Sequence, residues 1–413
     1  MRVLHTADWH LSRTLEGRSR HEEHVRFVDE LCDIVTREAI DMVVIAGDIF
    51  DTINPPSAAE ELYCDALARL GEGGRRAVVV IAGNHDSPDR LCAVAPLAQR
   101  HGVTLFGYPW DDPGVYAPAG NRVRRVASGP GWAEIAVPGV DHSAVVLALP
   151  YPSEARLGKV LADTVVEEEL QPVYSAQVAQ LFGALAGNYR ADTVRLAASH
   201  LFVAGGKESA DSERPIQVGG AYTVEPGAFP AAAQYVALGH LHRPQQMHGA
   251  HTLTRYAGSP LAFSFSEAGY AKSVTVVDVL PNGAAAVQEI PIAAGKPLVR
   301  WKADGGPEQV AAWVAEGRDP DAWIDLELHL TRSLEPLEIQ ALRRMHPGFI
   351  HIRPIISSGE AAAARADRVS ETLEQRFIRF YQRQKNTDAP PPPELVRLFL
   401  SLTNQSADAE VEA

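Results

Sequence analysis

Three short runs, RVLHTA at 2–7, DMVVIAG at 41–47 and AVVVIAG at 77–83, are aliphatic or β-branched at most positions, and polar residues crowd the end of each. A strand with one wet face alternates apolar and polar residues, whereas a near-continuous apolar run suits a strand covered on both faces. Such strands need helices packed over the sheet they form. Val25, Val28, Cys32 and Val35, spaced by three, four and three residues between the first two runs, make the apolar stripe of one such helix. VRLAAS at 194–199 and QYVAL at 234–238 look like strands of a second, similar half, and SVTVVDVL at 273–280 alternates in the manner of a strand closing a sheet. One large α/β layered domain is expected over 1–282, with the Pro- and Gly-rich stretch from Tyr108 to Gly139 as an irregular insertion carrying a hairpin.

From 283 to 358 the order becomes strand, strand, helix, strand, helix, strand, the signature of a small α+β domain in which 323–330 and 349–356 are the clearest strands. An amphipathic helix is expected within 359–388, where Val369, Leu373, Phe377 and Phe380 recur at helical spacing. Pro390 to Pro393 then form a stiff spacer. Beyond it, within 389–413, Leu395, Leu398, Phe399 and Leu402 mark a short amphipathic helix before a disordered acidic tail.

Three cysteines, Cys32, Cys64 and Cys92, are an odd number on helical-looking stretches and fit a reducing cytoplasm better than a disulfide framework. The N-terminus enters folded-looking sequence at once, and no apolar run approaches the roughly 18 residues of a membrane span, so a soluble cytoplasmic protein is expected. A formal charge of −14 argues against a surface coated in basic patches. If the substrate is DNA, bound cations or a partner supply part of the attraction.

Five polar clusters follow five strand-like runs: Asp8 and His10 in TADWH, Asp48 in AGDIFD, Asn84 and His85 in AGNHD, His200 in ASHLF, and His240 with His242 in ALGHLH. In an α/β sheet, ligands bind beyond the carboxyl ends of the strands, so the clusters are expected to share one site. Carboxylate, amide and imidazole donors together suit divalent Mn, Fe or Zn, and even the seven besides His85 exceed what one ion uses. They suit a two-metal centre. Gly47 and Gly83 let the backbone turn so that the following side chain enters the site. The remaining histidines are read as structural or surface residues.

The order D-x-H, G-D-x-x-D, G-N-H-D, H, G-H-x-H resembles that of the calcineurin-like metallophosphoesterases. The longer segments LHTADWHLSRTLEG, GDIFDTINPPS, GNHDSPDRL and YVALGHLHRPQ with RYAGSPLAFSFSE resemble the SbcD exonuclease-subunit family over roughly residues 1–280. The resemblance implies a four-layer sandwich of two sheets flanked by helices, a small α+β capping domain and a helical tail. It assigns Asp8, His10 and His242 to one ion, Asn84, His200 and His240 to the other, Asp48 as the bridge, and His85 as the catalytic histidine. Asp51 stands where archaeal and eukaryotic relatives carry histidine, which fits the bacterial branch and makes Asp51 a supporting candidate.

The implied activity is metal-dependent hydrolysis of DNA phosphodiesters, by exonuclease and hairpin or single-strand endonuclease action, with Mn²⁺ as the expected ion. No GxSxG elbow or Walker motif supports a nucleophilic hydrolase or an autonomous ATPase. Arg13, Arg18, Arg20, Arg90, Arg243 and Arg255 border the motifs, with Arg13, Arg90 and Arg243 the DNA-contact candidates. The family also pairs as homodimers through helices expected here at 57–70 and 88–100, with stripes Leu62, Ala66, Leu70 and Leu91, Val94, Leu97. Its partner is a coiled-coil ABC-type ATPase, SbcC, for which Leu395, Leu398, Phe399 and Leu402 are the docking candidates. The rival readings are a small-molecule or phosphoprotein phosphoesterase, and a scaffold that docks DNA ends or the ATPase.

Overall fold

The computed structural model describes residues 1–153, 156, 167–209, 212–213, 222–356, 372–385 and 390–400. The apolar runs form the centres of two sheets. In the first, β1 (Arg2–Thr6), β2 (Met42–Ala46), β3 (Ala77–Ile81) and β4 (Val103–Phe106) run parallel. β14 (Ser273–Asp278) pairs antiparallel with β1, and β15 (Ala286–Pro291) with β14, giving the order β15-β14-β1-β2-β3-β4.

The second sheet has the order β12-β13-β11-β8-β7-β6-β5. Its parallel centre is β7 (Ala144–Leu149), β8 (Val194–His200), β11 (Tyr235–Gly239) and β13 (Leu253–Tyr256). The hairpin β5 (Arg124–Gly129) and β6 (Trp132–Ala136) extends one edge, as the insertion predicts, and β12 (Gln245–Gln246) extends the other. A two-stranded ribbon joins β9 (Phe202–Val203) to β10 (Thr223–Val224).

Three apolar cores define four layers. One lies between the first sheet and helices α1 (His21–Arg37) and α2 (Ser57–Gly71), where Phe27, Leu31, Val43 and Val78 are fully buried. The second lies between the sheets, built from alternate residues of the same strands, such as Val44, Val79, Val146 and Leu196. Tyr174, Val178 and Phe182 of helix α5 (Glu167–Leu185) cover the far side of the second sheet. A central strand is apolar throughout because each of its faces meets one of these cores.

The helix expected at 88–100 is broken into α3 (Pro88–Cys92) and α4 (Ala95–Ala98), each with proline in its first turn. Pro96 has no N–H for a continuous ladder, which stops the earlier helix. On α2, Leu62, Ala66 and Leu70 are buried in the first core, so that stripe packs within the chain. Leu91 is buried as well, but Leu97 is 68% exposed beside a groove of about 200 Å³ lined by Cys64, Leu67 and Val94.

The chain divides into two compact units: residues 1–300 with 319–325 and 348–351, and residues 301–318, 326–347 and 352–413. The first therefore continues past 282, because β15 pairs with β14 along all six residues. A three-stranded sheet has the order β16-β17-β18, from β16 (Leu298–Ala303), β17 (Trp323–Leu330) and β18 (Phe349–Ile356). In the second unit, Arg318 lies 5.1 Å and 4.3 Å from the rings of Trp301 and Trp313. Helix α6 (Gly306–Ala315) carries Trp313, and a capping box of Glu335 and Glu338 starts α7 (Pro336–Met345).

Residues 393–400 are helical, as predicted, but Phe399 stacks on Phe377 of helix α8 (Leu373–Lys385) at 4.2 Å and 9°. That segment thus packs partly on its own chain, leaving Leu395 and Leu398 exposed; Leu402 and Val369 lie outside the described residues. Among the described residues no helix is long and apolar enough to cross a membrane.

Candidate metal centre

β1, β2 and β3 of one sheet and β8 and β11 of the other deliver all five polar clusters to one place. The loops after β1 and β2 prolong their strands' pairing: Asp8 N donates to Gly47 O, His10 N to Asp48 O and Leu11 N to Ile49 O, at 2.8–3.0 Å. Asp8, His10, Asp48 and His240 all hold left-handed backbone, with φ of 55°, 44°, 49° and 109°. Non-glycine residues in that region cost on the order of 1–3 kcal/mol each, and here the strain turns the side chains inward. Gly47 also has positive φ, +90°, as its motif predicts. Gly83 answers a different need, because a Cβ there would stand 2.1 Å from Asp48 Oδ1.

Two groups emerge. Asp8, His10 and His242 place ligand-type atoms within 4.8 Å of one another, as do Asp48, His200 and His240. His10 Nε2 and His242 Nε2 face each other at 3.0 Å, while Asn84 Oδ1 lies 2.9 Å from His200 Nε2 and 3.1 Å from His240 Nδ1. Asp48 Oδ2 sits among them, 3.4 Å from His200 Nε2 and 3.6 Å from His10 Nε2. Its other oxygen accepts the His85 N–H at 2.9 Å.

This donor set fits divalent cations. Ring nitrogens each roughly 2.1 Å from one ion come to stand about 3 Å apart. Asp8 Oδ1 accepts the His240 N–H, yet among the described residues its buried Oδ2 has no hydrogen-bond partner. Such an atom calls for a cation or a donor. Burial pushes the Asp8 carboxyl well above its ordinary range, with His200 pulling against and Asp48 adding to the push. Burial also opposes ionisation of Asp48, but His200, His85 and His10 hold it well below that range. Burial lowers His10 and His240 far below the ordinary imidazole value and His242 to about 4, leaving them neutral as ligation requires. His200 moves the other way: burial resists its protonation, yet Asp48 and Asp8 raise it to about 9.

His85 Nδ1 donates to the backbone carbonyl of Asp51 at 2.7 Å, which leaves Nε2 facing Asp48 Oδ2 at 3.9 Å. The Asp51 carboxylate instead stands 3.5 Å from His10 Nδ1 and 3.8 Å from Arg13 Nε.

The basic candidates divide. Arg13 is wedged into the wall, donating to Ser212 O at 2.6 Å and lying 4.8 Å from the Phe263 ring. Arg90 is partly exposed and paired with Glu60 at 3.0 Å; Arg243 lies 5.0 Å from the Tyr270 ring. Arg20 and Arg255 are buried ion-pair partners of Glu23 and Glu289, so those two hold the fold together.

Several contributors escape sequence reading. Asp86, the fourth letter of GNHD, accepts three backbone N–H groups, from Ile49, Phe50 and Gly83, and so ties the β2 loop to the β3 loop. Phe263 packs edge-on against His10 and His242. Arg156 donates to the carbonyls of Gly83 and Asp86, both at 2.7 Å. The D after NH was the signal for Asp86, and Phe263 falls within the RYAGSPLAFSFSE segment, which does not name its role; Arg156 lies far from any motif.

The calcineurin-like phosphoesterase family pattern matches residues 1–136. The SbcD component of the SbcCD nuclease of Bacillus subtilis (strain 168) is 50% identical over 404 residues, covering 98% of each chain. That of Rhodobacter capsulatus is 37% identical over 329 residues, 76% of this chain and 75% of its own. The Escherichia coli K12 counterpart is 31% identical over 360 residues, 84% and 83% of the two chains. Identity at this level, sustained over nearly the whole length and joined to the paired ligand groups, leaves one conclusion: the chain belongs to the SbcD family of SbcCD nuclease components.

Proposed function

We propose that this protein is the nuclease subunit of an SbcCD-type complex and hydrolyses DNA phosphodiesters at a centre holding two divalent ions, Mn²⁺ foremost. The observation that carries the reading is the convergence of Asp8, His10 and His242 with His200, His240 and Asn84, where Asp48 Oδ2 stands between His10 and His200. Asp8, His10 and His242 would hold one ion, Asn84, His200 and His240 the other, and Asp48 both. Paired cations supply an activated water and neutralise charge on the phosphoryl oxygens.

The chain's own contribution is placement. The Asp51 carbonyl orients His85 so that Nε2 faces the centre, from where it can steady or protonate the departing oxygen, an effect worth roughly 10²–10⁴ in rate. Asp51 itself braces His10 and Arg13. Arg90 and Arg243 are the proposed DNA contacts, with Arg13 shaping the wall.

Double-strand ends and hairpins are the proposed substrates, reached in the cytoplasm on nucleoid DNA with an SbcC-type coiled-coil ATPase as partner. Exposed Leu395 and Leu398 offer that ATPase an apolar edge. A homodimer is proposed through the α2 and α4 face around Leu97.

Purified protein, alone and with the ATPase and ATP, is to be assayed on linear duplex and hairpin DNA with Mn²⁺. Cleavage lost in Asn84→Ala and His85→Ala is expected. Turnover of a small phosphodiester without cleavage of any DNA would replace the nuclease reading with a small-molecule one.

A further inference from the structure

We infer that Ser212 and Glu267 are positioning residues that fix the tautomer of His242, and with it the lone pair His242 turns toward the centre. The inference rests on the two-metal reading above for its purpose, though not for its geometry.

His242 Nδ1 lies 2.6 Å from Ser212 Oγ. A hydroxyl can donate or accept, so this contact alone leaves the ring free to carry its proton on either nitrogen. Glu267 removes the choice. Its fully buried carboxylate accepts a hydrogen bond from the Ser212 hydroxyl through Oε1, accepts the Phe263 N–H at 3.0 Å through the same oxygen, and is paired through Oε2 with the buried ammonium of Lys272. An ionised carboxylate only accepts. Ser212 must therefore donate to Glu267, and the lone pair it has left accepts from His242, so the proton sits on Nδ1. Nε2, 3.0 Å from His10 Nε2, is then bare.

Lys272 and a further carboxylate, Glu213, hold the His242 backbone. Lys272 Nζ donates to His242 O at 3.0 Å and to Ser259 Oγ at 2.8 Å, and the His242 N–H donates to Glu213 Oε1 at 2.9 Å. Glu267 does not reach the ring itself, its Oε1 standing 3.9 Å from Nδ1, so the hydroxyl is the indispensable middle member. Partners of this kind behind a ligating histidine typically change metal affinity by roughly 10–100-fold.

The test uses full-length protein labelled with ¹⁵N-histidine. In metal-free wild type, His242, identified by its loss in His242→Gln, is expected to show the Nδ1–H pattern of imidazole nitrogen shifts. Ser212→Ala is expected to move His242 toward the Nε2–H form and to weaken Mn²⁺ binding at one site about 10–100-fold by calorimetry. Ser212→Thr keeps the hydroxyl and should restore both, while thermal melting confirms that each variant is folded. An Nε2–H pattern at His242 in wild type, or Ser212→Ala with an unchanged pattern, would overturn the inference. Should wild type bind no Mn²⁺ and cut no DNA, the two-metal reading fails, and the nitrogen shifts still decide the role of Ser212.

Discussion

His242 and His200 both turn a ring nitrogen into the centre, yet different materials hold their far sides. His200 Nδ1 donates to the carbonyl of Ala46, a backbone group at the end of β2. A carbonyl can only accept, and no substitution deletes it. His242 Nδ1 meets a serine hydroxyl whose direction is set in turn by Glu267 and Lys272. One end of the centre is thus fixed by the meeting of two sheets, and the other by side chains that can be altered singly.

Asp48→Ala strikes both ends at once and should have the largest effect. The expected loss of DNA cleavage is about 10³-fold or more, read from initial rates on linear duplex. Activity within tenfold of wild type would mean that the two ends work independently.

Variants confined to one end come next. His200→Ala and His242→Ala are each expected to lower cleavage by about 10²-fold while leaving one Mn²⁺ bound in calorimetry. Loss of both ions in either variant would erase the distinction between the ends.

Acid sensitivity separates damage to the fold from damage to the centre. Burial, aided by Arg255, lowers His5 to about 3, and its Nδ1 meets Tyr235 Oη at 2.9 Å. The unfolded chain takes that proton near pH 6.5, so the folded state loses stability as pH falls from there toward 3, by roughly 1.4 kcal/mol per unit. The contribution is whole above pH 6.5. Urea midpoints compared at pH 7 and 5 should fall less in His5→Asn than in wild type, and equal falls would remove His5 from the acid response.

The smallest effect belongs to Phe263→Leu. Phe263 touches His10 and His242, whereas His200 has Tyr151 and His240 as ring neighbours. A stability loss of about 1 kcal/mol is expected, with weaker Mn²⁺ binding at the His242 end alone. Equal weakening at both ends would show that the ring supports the whole centre.

Much of the centre was legible because each ligand follows a buried strand, and buried strands announce themselves by unbroken apolar runs. Asp8, Asp48, Asn84, His200 and His240 all sit within three residues of such an end. What holds the ligands was not legible. Glu267 and Lys272 lie 25 and 30 residues beyond His242, and only the folded chain brings them behind it. The left-handed backbone at Asp8, His10 and Asp48 leaves no mark, since nothing in those residue types demands it. The edge strand β15 was visible as a strand but not as a member of the first sheet, because its AVQEIP sequence does not name its neighbour. Pro96, by contrast, was there to be read and should have divided the helix at 88–100.

The central claim is that these side chains hold two ions and not one. Electron paramagnetic resonance of the protein titrated with Mn²⁺ tests it most directly, because ions roughly 3.5–4 Å apart couple magnetically. The account predicts a coupled two-ion spectrum at saturation that collapses to an isolated-ion spectrum in His200→Ala. An isolated single ion at saturation in wild type would contradict it.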